Sequence, residues 1–263
     1  MGRRYDPQVL HNFLTRMDTR LQPQRTLGRQ AGWSLMARVF RSVVWREDPL
    51  RLLARFPVWL YSKWVSATYP FAAIGKNVRF HYTWDFRRYG AHRVKLGNSV
   101  LIGKDVHFGA YCPNGEPGEP MIIVEDGCGI HRGAQISARN CIHIERDVIV
   151  SAGTLLMDHN HEFQDVTVPI KDQGLSAGGT IRIEQGCWIG RNAAIVCNQG
   201  DLVIGRNSVI AANALVTRSC PPYSVLIGNP ARVASQYDPR QKAWVTGSAR
   251  PAVPVSIGSD LNA

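Results

Sequence analysis

Residues 183–216 read IEQGCWIGRNAAIVCNQGDLVIGRNSVIAANALV, and their spacing decides the fold. Aliphatic residues fall every sixth position at Ile183, Ile189 and Ile195, and again at Ile204, Ile210 and Val216. Four residues after an aliphatic stands a small residue (Cys187, Ala193, Ser208, Ala214), preceded by Gly186, Asn192, Asn207 or Asn213. Gly, Asn and Asp are the residues that tolerate positive φ. Each hexad is therefore a short extended segment ending in a tight corner, with one large and one small side chain turned inward. Three segments close a triangular coil, and coils stack as parallel strands into a β-solenoid. An α-helix has a period of 3.6 residues and no place for a left-handed residue in every hexad.

The beat extends upstream through Leu96, Ile102 and Phe108, then Val124, Ile130 and Ile136, then Ile144, Val150 and Leu156, with an opening unit at Ile74–Val78. Corner residues Asp105, Gly127, Gly133, Asp147 and Gly153 keep the same phase. Internal repetition at a fixed period takes precedence over any single helix or strand assignment. Three of the six cysteines, Cys112, Cys128 and Cys187, occupy the small inward position, where packing is their expected role. Cys141, Cys197 and Cys220 lie at breaks in the beat, with nothing beside them to activate a thiolate.

The hexads, with the segment Cys187–Asn192, the run Ile204–Arg218 and the closing Ile227-Gly228-Asn229-Pro230-Ala231-Arg232, resemble the hexapeptide-repeat acyltransferases. The nearest likeness is to the galactoside, maltose and exopolysaccharide O-acetyltransferases. That resemblance implies a left-handed parallel β-helix over residues 74–235, a homotrimer, acetyl-CoA as donor and a sugar or glycan hydroxyl as acceptor. Left-handedness comes from the resemblance alone, since parallel crossovers are otherwise right-handed.

Insertions leave a solenoid on one face and carry its function. The repeat is interrupted at 80–95, at 113–120 and, at greatest length, at 158–180. The last insertion opens Asp158-His159-Asn160-His161-Glu162. Transfer of an acyl group from a thioester to a hydroxyl needs a base for the hydroxyl proton, and histidine titrates near neutrality. In the family that this chain resembles, the catalytic histidine falls five residues after a hexad aliphatic. Counted from Leu156, this favours His161, with His159 as the alternative, and Asp158 or Glu162 as the orienting carboxylate. The same His-x-His with Asp158 also suits Zn²⁺. The metal-binding γ-class carbonic anhydrases, however, show a glycine-histidine pair with a second histidine five residues on, a spacing that this chain lacks, so no metal is expected. The remaining alternative is a non-catalytic binding solenoid.

For the donor, the resemblance implies contacts from Trp188 and Arg191 on one coil, Ala212 on the next, Thr217 and Arg218 after it, and Arg232 past the Asn-Pro turn. Arg218 and Arg232 suit nucleotide phosphates, and Ala212 lets a slender pantetheine arm approach the backbone.

The chain has 263 residues and a formal charge of +11. Apolar content of 44% excludes wholesale disorder. Residues 1–75 hold twelve Lys and Arg against four Asp and Glu, a net of +8, leaving +3 on residues 76–263. The basic excess is therefore not on the repeat, and with no nucleic-acid motif it does not indicate a nucleic-acid partner. The longest run without a charged residue is thirteen residues, Ser219 to Ala231, short of the ~18 a spanning helix needs. No compact signal-peptide core opens the chain, so cytoplasmic residence is expected.

Residues 1–73 have no hexads and read as a basic, helical N-terminal extension, with helix from Trp33 to Phe71 and a kink or second start at Pro57. Two roles suit it: covering the open end of the solenoid or meeting a trimer neighbour, and peripheral contact with an anionic membrane surface on its inner face. Residues 236–263 are polar and aperiodic and read as a flexible tail.

Overall fold

In the computed structural model, residues 49–83, 88–112 and 118–246 are described. They form a left-handed parallel β-helix preceded by one helix, α1, at Pro49–Thr68. The expected helix over Trp33–Asp48 and the end of the chain after Thr246 lie outside the described residues.

Three sheets make the walls of the coil, with six strands in sheet A, nine in sheet B and six in sheet C. Hexads from successive coils pair in register: Ile144 lies between Val124 and Ile183 in sheet A, and Val150 between Ile130 and Ile189 in sheet B. Leu156 lies between Ile136 and Ile195 in sheet C. All fifteen hexad aliphatics from Leu96 to Val216 are at most 1% exposed. They form one continuous column of side chains along the axis, and its burial is the dominant favourable term in the fold.

The corners follow the sequence closely. Asp105, Gly127, Gly133, Asp147, Gly153, Gly186, Asn192, Asn207 and Asn213 all have φ between 52° and 74°. Ser99, at φ 56°, joins them although serine has no special tolerance for that region. Its N–H donates to the carbonyl of Lys76 on the preceding coil at 2.7 Å, so the corner is held by its neighbour. Corner-to-corner bonds of this kind recur, as from Asn192 to Ala152 and from Asn213 to Arg191.

The flat glycine beside some corners has a different cause. A Cβ on Gly190 would lie 2.6 Å from the Ala212 nitrogen and the Ile210 oxygen of the next coil. Backbone cannot yield there without opening the coil stack. Gly190→Ala is therefore expected to destabilise the protein by about 1–3 kcal/mol, the usual cost of overpacking. Thermal unfolding checks this, and an unchanged melting temperature contradicts so close a stacking.

Helix α1 covers the N-terminal end of the solenoid. Val65 is fully buried in the common core. The Phe80 N–H donates to Ser62 Oγ at 2.8 Å, fixing the helix to the first coil. Pro57 stands inside α1 without interrupting it. The second helix start expected there does not occur, since α1 continues through this exposed proline. Among the described residues, no helix is long and apolar enough to cross a membrane.

At the other end, the solenoid closes with a hairpin. Arg232–Asp238 pairs antiparallel with Ser224–Ile227, and Ala243–Thr246 pairs antiparallel with Arg232–Asp238. The boundary expected at residue 235 falls inside a strand, and the first part of the expected tail is ordered. The edge of sheet B supplies the reason: unpaired N–H and C=O groups accept any strand that returns to them, whatever its apolar pattern.

Candidate functional site

The long insertion leaves sheet C after Met157 and is tied down at its root by one carboxylate. Asp158 is fully buried. Its Oδ1 accepts the Arg139 N–H at 2.7 Å and its Oδ2 accepts the Asn140 N–H at 2.9 Å. The ring of His159 also meets it, with Nδ1 2.9 Å from Oδ1. An ionised carboxylate only accepts, so Nδ1–H is the donor in this pair, and in a neutral ring the lone pair is then on Nε2. His159 is 4% exposed, and its ring meets Tyr111 edge-on at 5.3 Å between centroids.

His161 is two residues farther out and differs in every respect. Its backbone is fixed in an antiparallel bridge to Leu175, and its side chain is exposed. The flanking bonds run from Ser176 N–H to Asn160 O at 2.7 Å and from Glu162 N–H to Gly174 O at 3.1 Å. The outgoing and returning arms of the insertion thus hold each other, and the coil beneath holds both. Arg139 Nη1 donates to Leu175 O, and Asn140 Nδ2 donates to Ala177 O and Gly179 O. Beyond this root the loop exposes Phe163, Val166 and Ile170.

The sequence offers no direct sign of Arg139, Asn140 or Tyr111 as members of this site. The one signal available is the two-residue connection between Ala138 and Cys141, which is tight where neighbouring coils have loops. A tight corner leaves its N–H groups pointing outward, and a carboxylate one coil away can take them.

Four of the six residues matched to the donor fall at two corners, and the other two lie on strands of sheet B. Trp188 is 52% exposed on sheet B and donates from Nε1 to Ser151 Oγ at 3.0 Å. Arg191 and Ala212 follow at the corner between sheets B and C on adjacent coils, both exposed. Thr217 and Arg218 come at the other end of sheet C and are also exposed. Met157 pairs with Val196 and Ile195 with Val216, so the register puts Asp158, Cys197 and Arg218 at one corner on successive coils. Two strand spacings, roughly 10 Å, separate Arg218 from the root of the insertion along the axis. Arg232 opens the terminal hairpin, exposed, with Nη1 donating to Ala231 O.

Burial disfavours the thiolate at five of the six cysteines. Burial pushes the Cys128 thiol up to about 11 and the Cys187 thiol up to about 12. Burial also raises Cys141, Cys197 and Cys220. In folded protein at pH 8, iodoacetamide is expected to leave Cys128 and Cys187 unmodified and to reach the half-exposed Cys112 and Cys141. Peptide mass mapping reads the result, and rapid labelling of Cys187 contradicts this packing. Among the described residues, no three His, Cys, Asp or Glu side chains gather as a metal site.

No family model matches the chain. In sequence it is similar to the probable acetyltransferase Rv3034c of Mycobacterium tuberculosis, 27% identical over 188 residues, or 72% of this chain and 56% of that protein. It is also similar to WbbJ of Escherichia coli K12, assigned to O-acetyl transfer in lipopolysaccharide biosynthesis: 25% identical over 157 residues, or 57% of this chain and 76% of that one. The chain thus spans little more than half the length of the first relative. In fold it is similar to AntD, an N-acyltransferase from Bacillus cereus solved with dTDP and 3-hydroxybutyryl-CoA. That likeness has a TM-score of 0.55 at 17% identity and covers 68% of this chain and 90% of AntD.

Proposed function

We propose that this protein is an O-acetyltransferase that moves an acetyl group from acetyl-CoA to a hydroxyl of a sugar or glycan. The observation that carries the reading is the pinned insertion: it presents an exposed imidazole, that of His161, on a backbone fixed from both sides. In the reaction, His161 takes the proton of the acceptor hydroxyl as its oxygen attacks the thioester carbonyl. The carbon–sulfur bond then breaks, and the imidazolium returns the proton to the departing thiolate, giving ester and free CoA. A backbone N–H at the coil edge suits the transient oxyanion. Burial raises the thiols of Cys128, Cys141, Cys187, Cys197 and Cys220 and makes them poor nucleophiles, so the reading uses direct transfer without an acyl-enzyme.

Reach favours His161 over His159. A general base must come within about 2.6–3.2 Å of the proton it takes. A sugar hydroxyl approaches an exposed ring, whereas His159 lies beneath Tyr111. A second reading, favoured by the Asp158–His159 hydrogen bond, gives His159 the proton, since a carboxylate on Nδ1 fixes the tautomer that leaves Nε2 as base.

In this reading, acetyl-CoA lies against Trp188, Arg191, Ala212, Thr217, Arg218 and Arg232. Arg191 and Ala212 lie at one end of sheet C and Thr217 and Arg218 at the other, and a cleft shared by adjacent copies of a homotrimer brings such halves together. The apolar tip of the insertion, Phe163, Val166 and Ile170, suits contact with a neighbouring copy. The exposed Phe56, Trp59, Leu60 and Trp64 of α1, in a segment with net charge +8 over residues 1–75, suit peripheral attachment to the inner face of a membrane.

The test is thiol release from acetyl-CoA, screened against monosaccharide, sugar-nucleotide and oligosaccharide acceptors with mass detection of the product. An acetylated glycan with stoichiometric CoA supports the proposal. A catalytic solenoid of the metal-hydratase kind is indicated instead by stoichiometric zinc in the purified protein, and a binding scaffold by the absence of CoA affinity.

A further inference from the structure

The outward face of sheet C changes character along the solenoid axis, and the insertion stands at the change. On the C-terminal side of the face, Leu155, Met157, Ala194, Val196 and Leu215 make an apolar wall. On the N-terminal side, the positions in register are His107, Gln135 and Ser137, with Tyr89 and Tyr111 beside them. Tyr89 is 57% exposed, and its ring centroid lies 5.4 Å from that of Tyr111 at an interplanar angle of 34°. Tyr111 in turn touches His159. The Tyr111 ring lies over Gly109, where even a Cβ would come within 3.0 Å of Cε2, so the sheet leaves room for that ring to lie against it.

We infer that Tyr89 and Tyr111 form an acceptor platform, on which a pyranose ring of an oligosaccharide stacks while a neighbouring hydroxyl is directed toward the root of the insertion. The inference rests on the acetyl-transfer reading and adds to it the place and the chemical class of the acceptor. Sugar rings present a C–H face to an aromatic ring and hydroxyls around their rim. A rigid tyrosine supplies the face and a polar edge at low entropic cost. Polar side chains at the rim, here His107, Gln135 and Ser137, meet the hydroxyls. The row of rings runs from open solvent at Tyr89 to the root of the insertion, which favours a chain of sugars over a single small one. The apolar half of the same face lies on the side of the donor residues, so the two substrates approach the insertion from opposite ends.

The experiment uses the full chain on an array of bacterial capsular and O-antigen oligosaccharides, with acetyl-CoA affinity measured in parallel by calorimetry. Wild type is expected to be retained on a subset of the glycans. Tyr89→Ala is expected to lose that retention at least tenfold and Tyr89→Phe to keep it, both with unchanged acetyl-CoA affinity. Tyr89 is exposed, so its replacement leaves the core intact. Equal retention of wild type and Tyr89→Ala overturns the platform, as does retention of no glycan by wild type. Absence of acetyl-CoA binding by wild type fails the acetyl-transfer reading itself, whatever the array shows.

Discussion

His161→Ala is expected to lower acceptor-dependent CoA release by about 10²- to 10⁴-fold, the usual contribution of a positioned general base. Its melting temperature should stay at the wild-type value, because the exposed ring contributes no packing and the bridge to Leu175 is made by backbone. The companion variant, His159→Ala, should behave in the opposite way. It removes a buried ring from between Asp158 and Tyr111, so stability falls, while CoA release falls less than tenfold at temperatures where the protein stays folded. Steady-state kinetics with thermal unfolding on both variants checks this. If His159→Ala abolishes transfer and His161→Ala leaves it near wild type, the carboxylate-bound imidazole is the base and the exposed one is not.

Leu156→Ala is expected to cost about 2–5 kcal/mol, the range for emptying a fully buried aliphatic site. Leu156 has no solvent exposure and lies between Ile136 and Ile195 in the column of hexad side chains, where flat parallel walls cannot collapse into the space. The outward-facing Ile149 is 47% exposed, and Ile149→Ala should change stability by no more than about 0.5 kcal/mol. Denaturant unfolding of the two variants reads the register directly. Equal costs contradict the inward assignment of every sixth residue, on which the count to His161 depends.

The sequence made the solenoid legible because the repeat constrains each position separately. A residue at the column must be large and apolar, and one at the corner must accept positive φ, so departures stand out. Ser99 is not marked by its residue type, since its left-handed corner is held by the Lys76 carbonyl of the preceding coil. Cys112 keeps the small-residue phase yet is only half-buried, since the repeat breaks at 113–120 directly after it. The hairpin after Arg232 was not legible, as strand pairing there is dictated by an open edge and leaves no apolar alternation in Arg232–Asp238.

The candidate site was legible only in part. Asp158-His159-Asn160-His161-Glu162 announces itself by composition and by its place at the longest break. Which histidine is seated and which is free depends on Arg139, Asn140 and Tyr111, and these belong to other coils. Coil stacking brings together residues nearly twenty to fifty positions apart, and no local pattern records such a meeting. The donor residues show the same limit: Arg218 shares a corner with Asp158, whereas Trp188 and Arg191 lie across sheet C from it.

Isothermal titration of the full chain with acetyl-CoA reads donor binding without need of an acceptor. The predicted result is saturable binding with a dissociation constant below the millimolar range, weakened at least tenfold in the Arg218→Ala, Arg232→Ala double variant. Absence of binding at millimolar acetyl-CoA, in protein whose thermal unfolding is cooperative, would contradict acetyl-CoA as the donor.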